Sequence, residues 1–262
     1  MVLFRMPYAA LAVLAAVLVI GFVLRRRAAV GKHVRVLADV IVGIRAVAGA
    51  SSSRRPAPPD HAKLLQHAEH FATAARELES LGCTILGDLE ELKADGSSAG
   101  ALRWFIDRSG TICGWFAVIA SKTRPVPVML IHSELTPLKF LLSQHGGAEL
   151  ALARAPTSPR FYYATTVPLQ TVFDQHRAHL TAMAPAVPQV IADLADAEAM
   201  FDRGRAHLQQ WRAAQDPEAL IALDVESVLR VREGAYEAFG YKVFALLCAR
   251  MAQENGASGS MA

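Results

Sequence analysis

Cysteine is scarce: the chain has three in 262 residues, Cys83, Cys113 and Cys248. The number is odd and the spacing wide, which argues against a secreted disulfide framework and fits reduced thiols in a cytoplasmic domain. With no CxxC pair there is no zinc knuckle or dithiol redox site. All three thiols lie in apolar segments and read as small buried hydrophobes. A Cys–His nucleophile is the alternative, since such partners are distant in sequence. Phosphate-cradling loops are also missing. The turns Asp95-Gly96 and Gly146-Gly147 lack the strand–loop–helix setting that a cradle requires.

Charge is the next scarcity. Between Pro7 and Leu24 there is none. Eighteen helical residues cover roughly 27 Å, near the thickness of a hydrocarbon core. A cleavable leader carries its basic residues before the apolar run; here Arg25, Arg26, Arg27, Lys32 and Arg35 follow it. The expectation is a retained single-span anchor in the cell (inner) membrane, N-terminus outside and main domain in the cytoplasm. A buried helix of a soluble protein is the alternative, and would need apolar cover on every side. Residues 25–55 hold eight Lys/Arg against one acid, a net of +7, and residues 56–262 hold 18 against 23, a net of −5. The basic stretch suits an anionic leaflet. The acidic body argues against a nucleic-acid partner.

Residues 34–50 place Val34, Leu37, Ile41, Ile44 and Ala48 on one helix face. This is either an amphipathic helix on the membrane surface or a continuation of the anchor that packs on the domain. SSSRRPAPP (51–59) reads as a linker. A helix follows over 60–81, with Leu64, Ala68, Phe71, Ala75 and Leu78 as its stripe and Gly82 as its stop. Strands are expected over 83–92, 101–107, 111–120, 126–133, 139–144, 148–155 and 160–167. They are joined by short turns, with no crossover helices to support a parallel βαβ sheet. A helix then starts near Thr171, whose spacing to Asp174 resembles a capping box. The next helix, 187–214, repeats Val187, Leu194, Phe201 and Leu208 every seven residues. It is expected to pack on a last helix running from Asp216-Pro217-Glu218 to about Ala252, kinked near Gly234 or Gly240. Self-association through Phe201 and Trp211 is the alternative.

The fold class expected is therefore α+β: a single N-terminal transmembrane helix, then a mainly antiparallel sheet of six or seven strands with a preceding helix and a C-terminal helical hairpin. The domain plan is anchor (1–24), basic juxtamembrane helix and linker (25–59), α+β domain (60–183), helical hairpin (184–254) and disordered tail (255–262).

Candidates for chemistry are few. His67 and His70, and His176 and His179, sit three apart, so each pair could share a metal on one helix face. Without an accompanying acid they are weak candidates. His132 and Glu134 share a sheet face and could move a proton. The expected function is a membrane-anchored cytoplasmic interaction or scaffold module without catalytic activity or cofactor. Its partners would be the lipid bilayer and a protein, or a second copy, met through the C-terminal helices. The alternative is a membrane-bound enzyme or small-ligand or metal sensor with a pocket between sheet and helices, using His132, Glu134, His176 or His179.

Overall fold

The computed structural model describes residues 30–43, 45, 53–119, 124–136, 138–147, 152–231 and 240–259. The chain forms two compact units, Val47–Asp216 and a second made of Met1–Ala46 with Pro217–Ala262. The apolar run 7–24 and Arg25 to Arg27 lie outside the described residues. Among the described residues no helix is long and apolar enough to cross a membrane.

The first unit is built on seven strands, β1 (Ser53–Pro56), β2 (Cys83–Leu92), β3 (Ser98–Asp107), β4 (Cys113–Ile119), β5 (Val126–Leu135), β6 (Lys139–Gly146) and β7 (Arg160–Tyr163). They lie side by side in chain order. Every pairing is antiparallel except β6 with β7, which is parallel. The α+β class and the mainly antiparallel sheet are thus observed. Three details differ from expectation. Ser53–Pro56, inside the expected linker, is a strand, because its four residues extend the ladder along Leu89 to Leu92. Of the strand expected over 148–155, residues 148–151 lie outside the described residues and 152–155 are not a strand. The chain instead returns alongside β6 in the same direction, with Phe140 N donating to Thr157 O and Leu142 N to Pro159 O.

Both faces of the sheet are covered, which is why β5 is apolar on both sides. On one face α2 (Ala62–Gln66), α3 (Ala68–Ser80) and α4 (Leu169–Ala182) bury Phe71, Leu78, Val172 and Phe173 against Phe105, Phe116, Met129 and Ile131. The expected 60–81 helix is two helices, broken at His67, which ends α2 and precedes α3. The expected capping box at Thr171 is absent: α4 begins at Leu169 after Pro168 with no side-chain cap, and Asp174 instead accepts from Gln170 and Arg177.

On the other face lies α5 (Leu194–Ala213), with Ala197 and Met200 buried against Leu102, Trp104 and Cys113. Leu194 and Phe201 of the heptad stripe pack on the sheet, and the Phe201 ring meets those of Trp104 and His132. The helix starts seven residues later than expected. Pro188 lacks a helical donor, and Asp193 caps the true start, accepting from Asp196 N at 2.9 Å. Residues 187–191 run extended instead. β4 stops opposite His132, and this strap fills the edge beyond it, with Gln189 N donating to Glu134 O at 2.8 Å and Thr136 N to Val187 O at 3.0 Å.

Arg54 ties β1 to α5. Its guanidinium lies 4.9 Å from the Phe201 ring centre and 5.8 Å from that of Trp104. It also pairs with Glu198 at 3.2 Å and with Asp202. The side chain is only 5% exposed, a setting in which cation–π contact reaches about 2 kcal/mol. Arg54→Met, which keeps the stem and removes the charge, is expected to lower stability by about 1–2 kcal/mol, read as a shift in urea midpoint. An unchanged midpoint would show that the packing of β1 on α5 does not use the charge.

In the second unit, residues 30–43 form α1, alongside α6 (Pro217–Val231) and α7 (Gly240–Gly259). The expected last helix is described as α6 and α7; residues 232–239, with the expected kink at Gly234, lie outside the described residues, and α7 continues past Ala252. Val34, Leu37 and Ile41 of α1 bury against Ile221, Val225, Val228, Val243 and Leu247. The apolar stripe of α1 is covered by protein rather than laid on a membrane surface; Ile44 and Ala48 fall outside the described residues. Asp224, fully buried, receives Arg45 Nε at 2.6 Å. Lys32 and Arg35 are exposed.

Candidate functional site

The sequence candidates scatter over the first unit. His67 and His70 meet edge to face, ring centres 6.0 Å apart. Among the described residues no group of three or more His, Cys, Asp or Glu could hold a metal. His176 and His179 part company. The His179 ring stacks on Phe161 at 3.6 Å, while His176 is fully buried between β5 and β6.

His176 resembles half of a serine–histidine pair, but its bonds pin the fold. Ser133 Oγ donates to Thr111 O at 2.7 Å. With that hydroxyl proton committed, His176 Nε2 is the donor to Ser133 Oγ at 3.1 Å, and Ser143 Oγ donates to Nδ1 at 2.8 Å. The ring is neutral. Burial first, then His179 and Arg177, brings its pKa down to about 3. Both serines are fully buried, so this network clamps α4 to the sheet. The cysteines are poor nucleophiles for a related reason: burial first, then Asp107, pushes the Cys83 and Cys113 thiols up to about 12.

His132 and Glu134 do share a face, the one under α5. Glu134 is taken by Arg203, whose Nε reaches both carboxylate oxygens at 3.1 Å. That bidentate pair holds α5 to β5 and engages the carboxylate expected to exchange a proton with His132. His132 instead lines a cavity of about 660 Å³ between the sheet and α5.

The cavity exists because small residues meet large ones around it. Gly204 of α5 sits over Phe140, where a Cβ would come within 3.2 Å of the ring. Ala94 and Ala99 leave room at the β2–β3 end. Leu130, Phe140, Leu142, Met200, Phe201 and Leu208 make the walls hydrocarbon. The segment after β6 closes one side, held to α5 by Arg212 Nη1 to Ala153 O at 3.0 Å and by Thr157 Oγ1 with His207 Nε2 at 2.9 Å.

Among the described residues, Arg154, Arg160, Arg205, the exposed Lys93 and the carboxylate of Glu91 also line the cavity. Arg154 donates Nε to Ser158 O at 3.2 Å and has no ion pair among the described residues. Burial first, then the charges of Arg160 and Arg212, brings its pKa down to about 9, so it stays cationic at neutral pH. Arg160 reaches Gln144 Oε1. His132 is held neutral, its pKa well below the ordinary range through burial and then Arg154, His176 and Arg160. Its ring meets Phe201 edge to face at 5.2 Å, and its Nε2 is buried without a hydrogen bond among the described residues.

Of the candidates read from sequence, only His132 belongs to this site. The arginines carried no signal in sequence, because Arg154 and Arg160 come from the return segment beside β6 and Arg205 from a helix whose partner was not legible. No protein-family model matches the chain, and no curated protein or solved structure matches it.

Proposed function

We propose that this is a membrane-tethered ligand-binding module, a sensor rather than a catalyst, whose sheet unit takes a small organic molecule into the cavity under α5. The observation that carries this reading is the cavity itself. About 660 Å³ with apolar walls and a few polar groups is the size and character of small-molecule sites, which span roughly 300–1,000 Å³. The tether is the 7–24 run with the basic residues after it. The lining offers guanidinium groups, a neutral imidazole and hydrocarbon, which suits binding.

The test uses the full chain in phosphatidylcholine nanodiscs and an uncharged alkyl-diazirine alcohol, cross-linked by light and mapped by peptide mass spectrometry. Labelling should fall on residues of β6 and α5, and drop at least tenfold in Leu208→Trp, which fills the cavity. Labelling confined to other segments, or unchanged by the filling variant, would refute the reading. The tether makes its own prediction: a reporter fused after Ala262 should be active in the cytoplasm, and activity only outside would reverse the orientation.

A further inference from the structure

Resting on that reading, we infer that the ligand of the α5 cavity is a single-chain aliphatic molecule ending in an oxyanion, its head held by Arg154 with Arg160 and His132 and its chain along Met200 and Leu208.

The charge of the lining points to an anion. Among the described residues, four cationic side chains and one carboxylate line the space. Three other arginines of this unit are matched by acids: Arg103 by Asp88 at 2.7 Å, Arg203 by Glu134 at 2.5 Å, and Arg54 by Glu198 and Asp202. Arg154 differs. Its Nε is used by a backbone carbonyl, while Nη1 and Nη2 make no hydrogen bond among the described residues. A guanidinium in apolar surroundings without a carboxylate is costly unless an anion reaches it. The paired donors of its fork match the two oxygens of a carboxylate or phosphate. The buried, unpartnered Nε2 of His132 belongs to the same cavity and adds a neutral hydrogen-bonding group to the head site.

The rest of the lining points to an alkyl chain rather than a flat ring. The two lining rings each carry a neighbour, Phe201 under Arg54 and Phe140 against His207 at 5.6 Å. Most of the apolar lining beside them is aliphatic, Leu130, Leu142, Met200 and Leu208, and the unbranched thioether of Met200 adapts to a flexible chain. The volume also exceeds what a bare inorganic anion needs. A fatty carboxylate and an alkyl phosphate share this chemistry.

The experiment compares alkyl-diazirine probes of one chain length, ending in carboxylate, phosphate or alcohol, on the full chain in phosphatidylcholine nanodiscs. The anionic probes should label α5 and β6 at least tenfold more than the alcohol, and the stronger of the two identifies the head. Arg154→Gln should erase that preference while leaving the alcohol signal, and Arg154→Lys should retain part of it. Equal labelling by all three probes in the native protein would overturn the inference and leave the cavity reading standing. Absence of cavity labelling by every probe would refute both. Should Arg154→Gln fail to fold, the comparison of head groups on the native chain still decides.

Discussion

Taking the pH from 7 to 5 is expected to weaken the sheet unit by about 2 kcal/mol through His176 alone. The unfolded chain protonates this imidazole near the ordinary 6.5, the folded protein only near 3. Between those values the unfolded state binds more protons, so stability falls as pH falls, beginning at about 6.5. His132 and His145, whose pKa values burial also lowers, add in the same sense. All three tryptophans, Trp104, Trp115 and Trp211, lie in Val47–Asp216, so urea unfolding followed by their emission reports this unit. His176→Gln should remove about one proton from the slope. A flat native profile, or an undiminished slope in the variant, would show that His176 protonates freely in the fold.

Gly114→Ala should be more damaging still, lowering stability by about 3 kcal/mol or more. Gly114 is in the middle of the sheet, between Phe105 of β3 and Ile131 of β5. A Cβ there would come 2.1 Å from the Leu130 carbonyl oxygen and 2.7 Å from the Phe105 ring. The oxygen belongs to backbone and Phe105 is fully buried, so neither can move aside without opening the β4–β5 ladder. Gly100→Ala, with nothing within 4 Å of the added carbon, is the control and should change stability little. Equal urea midpoints for the two variants would mean the central strands have slack that their register does not show.

The reach of sequence reasoning follows from what sets each element. Strand positions were legible because side chains alternate: Leu102, Trp104 and Ile106 share the α5 face, while Ala101 and Phe105 take the other. The direction of β7 was not, since parallel pairing is set by the path of the return segment. Leu152, Ala153 and Ala155 are buried there without forming a strand, and their apolar alternation imitated one. Helical stripes were legible on α1 and α5, but a stripe specifies a buried face and not its cover. The cavity is harder again. It arises where Ala99 of β3, Leu142 of β6, Arg154 of the return segment and Gly204 of α5 come together across more than a hundred residues. Only His132, two residues from Glu134 on one strand, carried a local trace of it.

The short outer strands have a consequence for crowding. β1 and β7 are four residues each, and β1 carries Arg54, Arg55 and Pro56, the last without a donor to offer. The strap at 187–191 occupies the remaining gap beside β5. Among the described residues a neighbouring copy therefore finds no long, flat ladder on which to lay a strand of its own, the usual opening for amyloid-like growth. Wherever copies of this chain meet at high local concentration, that bluntness keeps close encounters reversible.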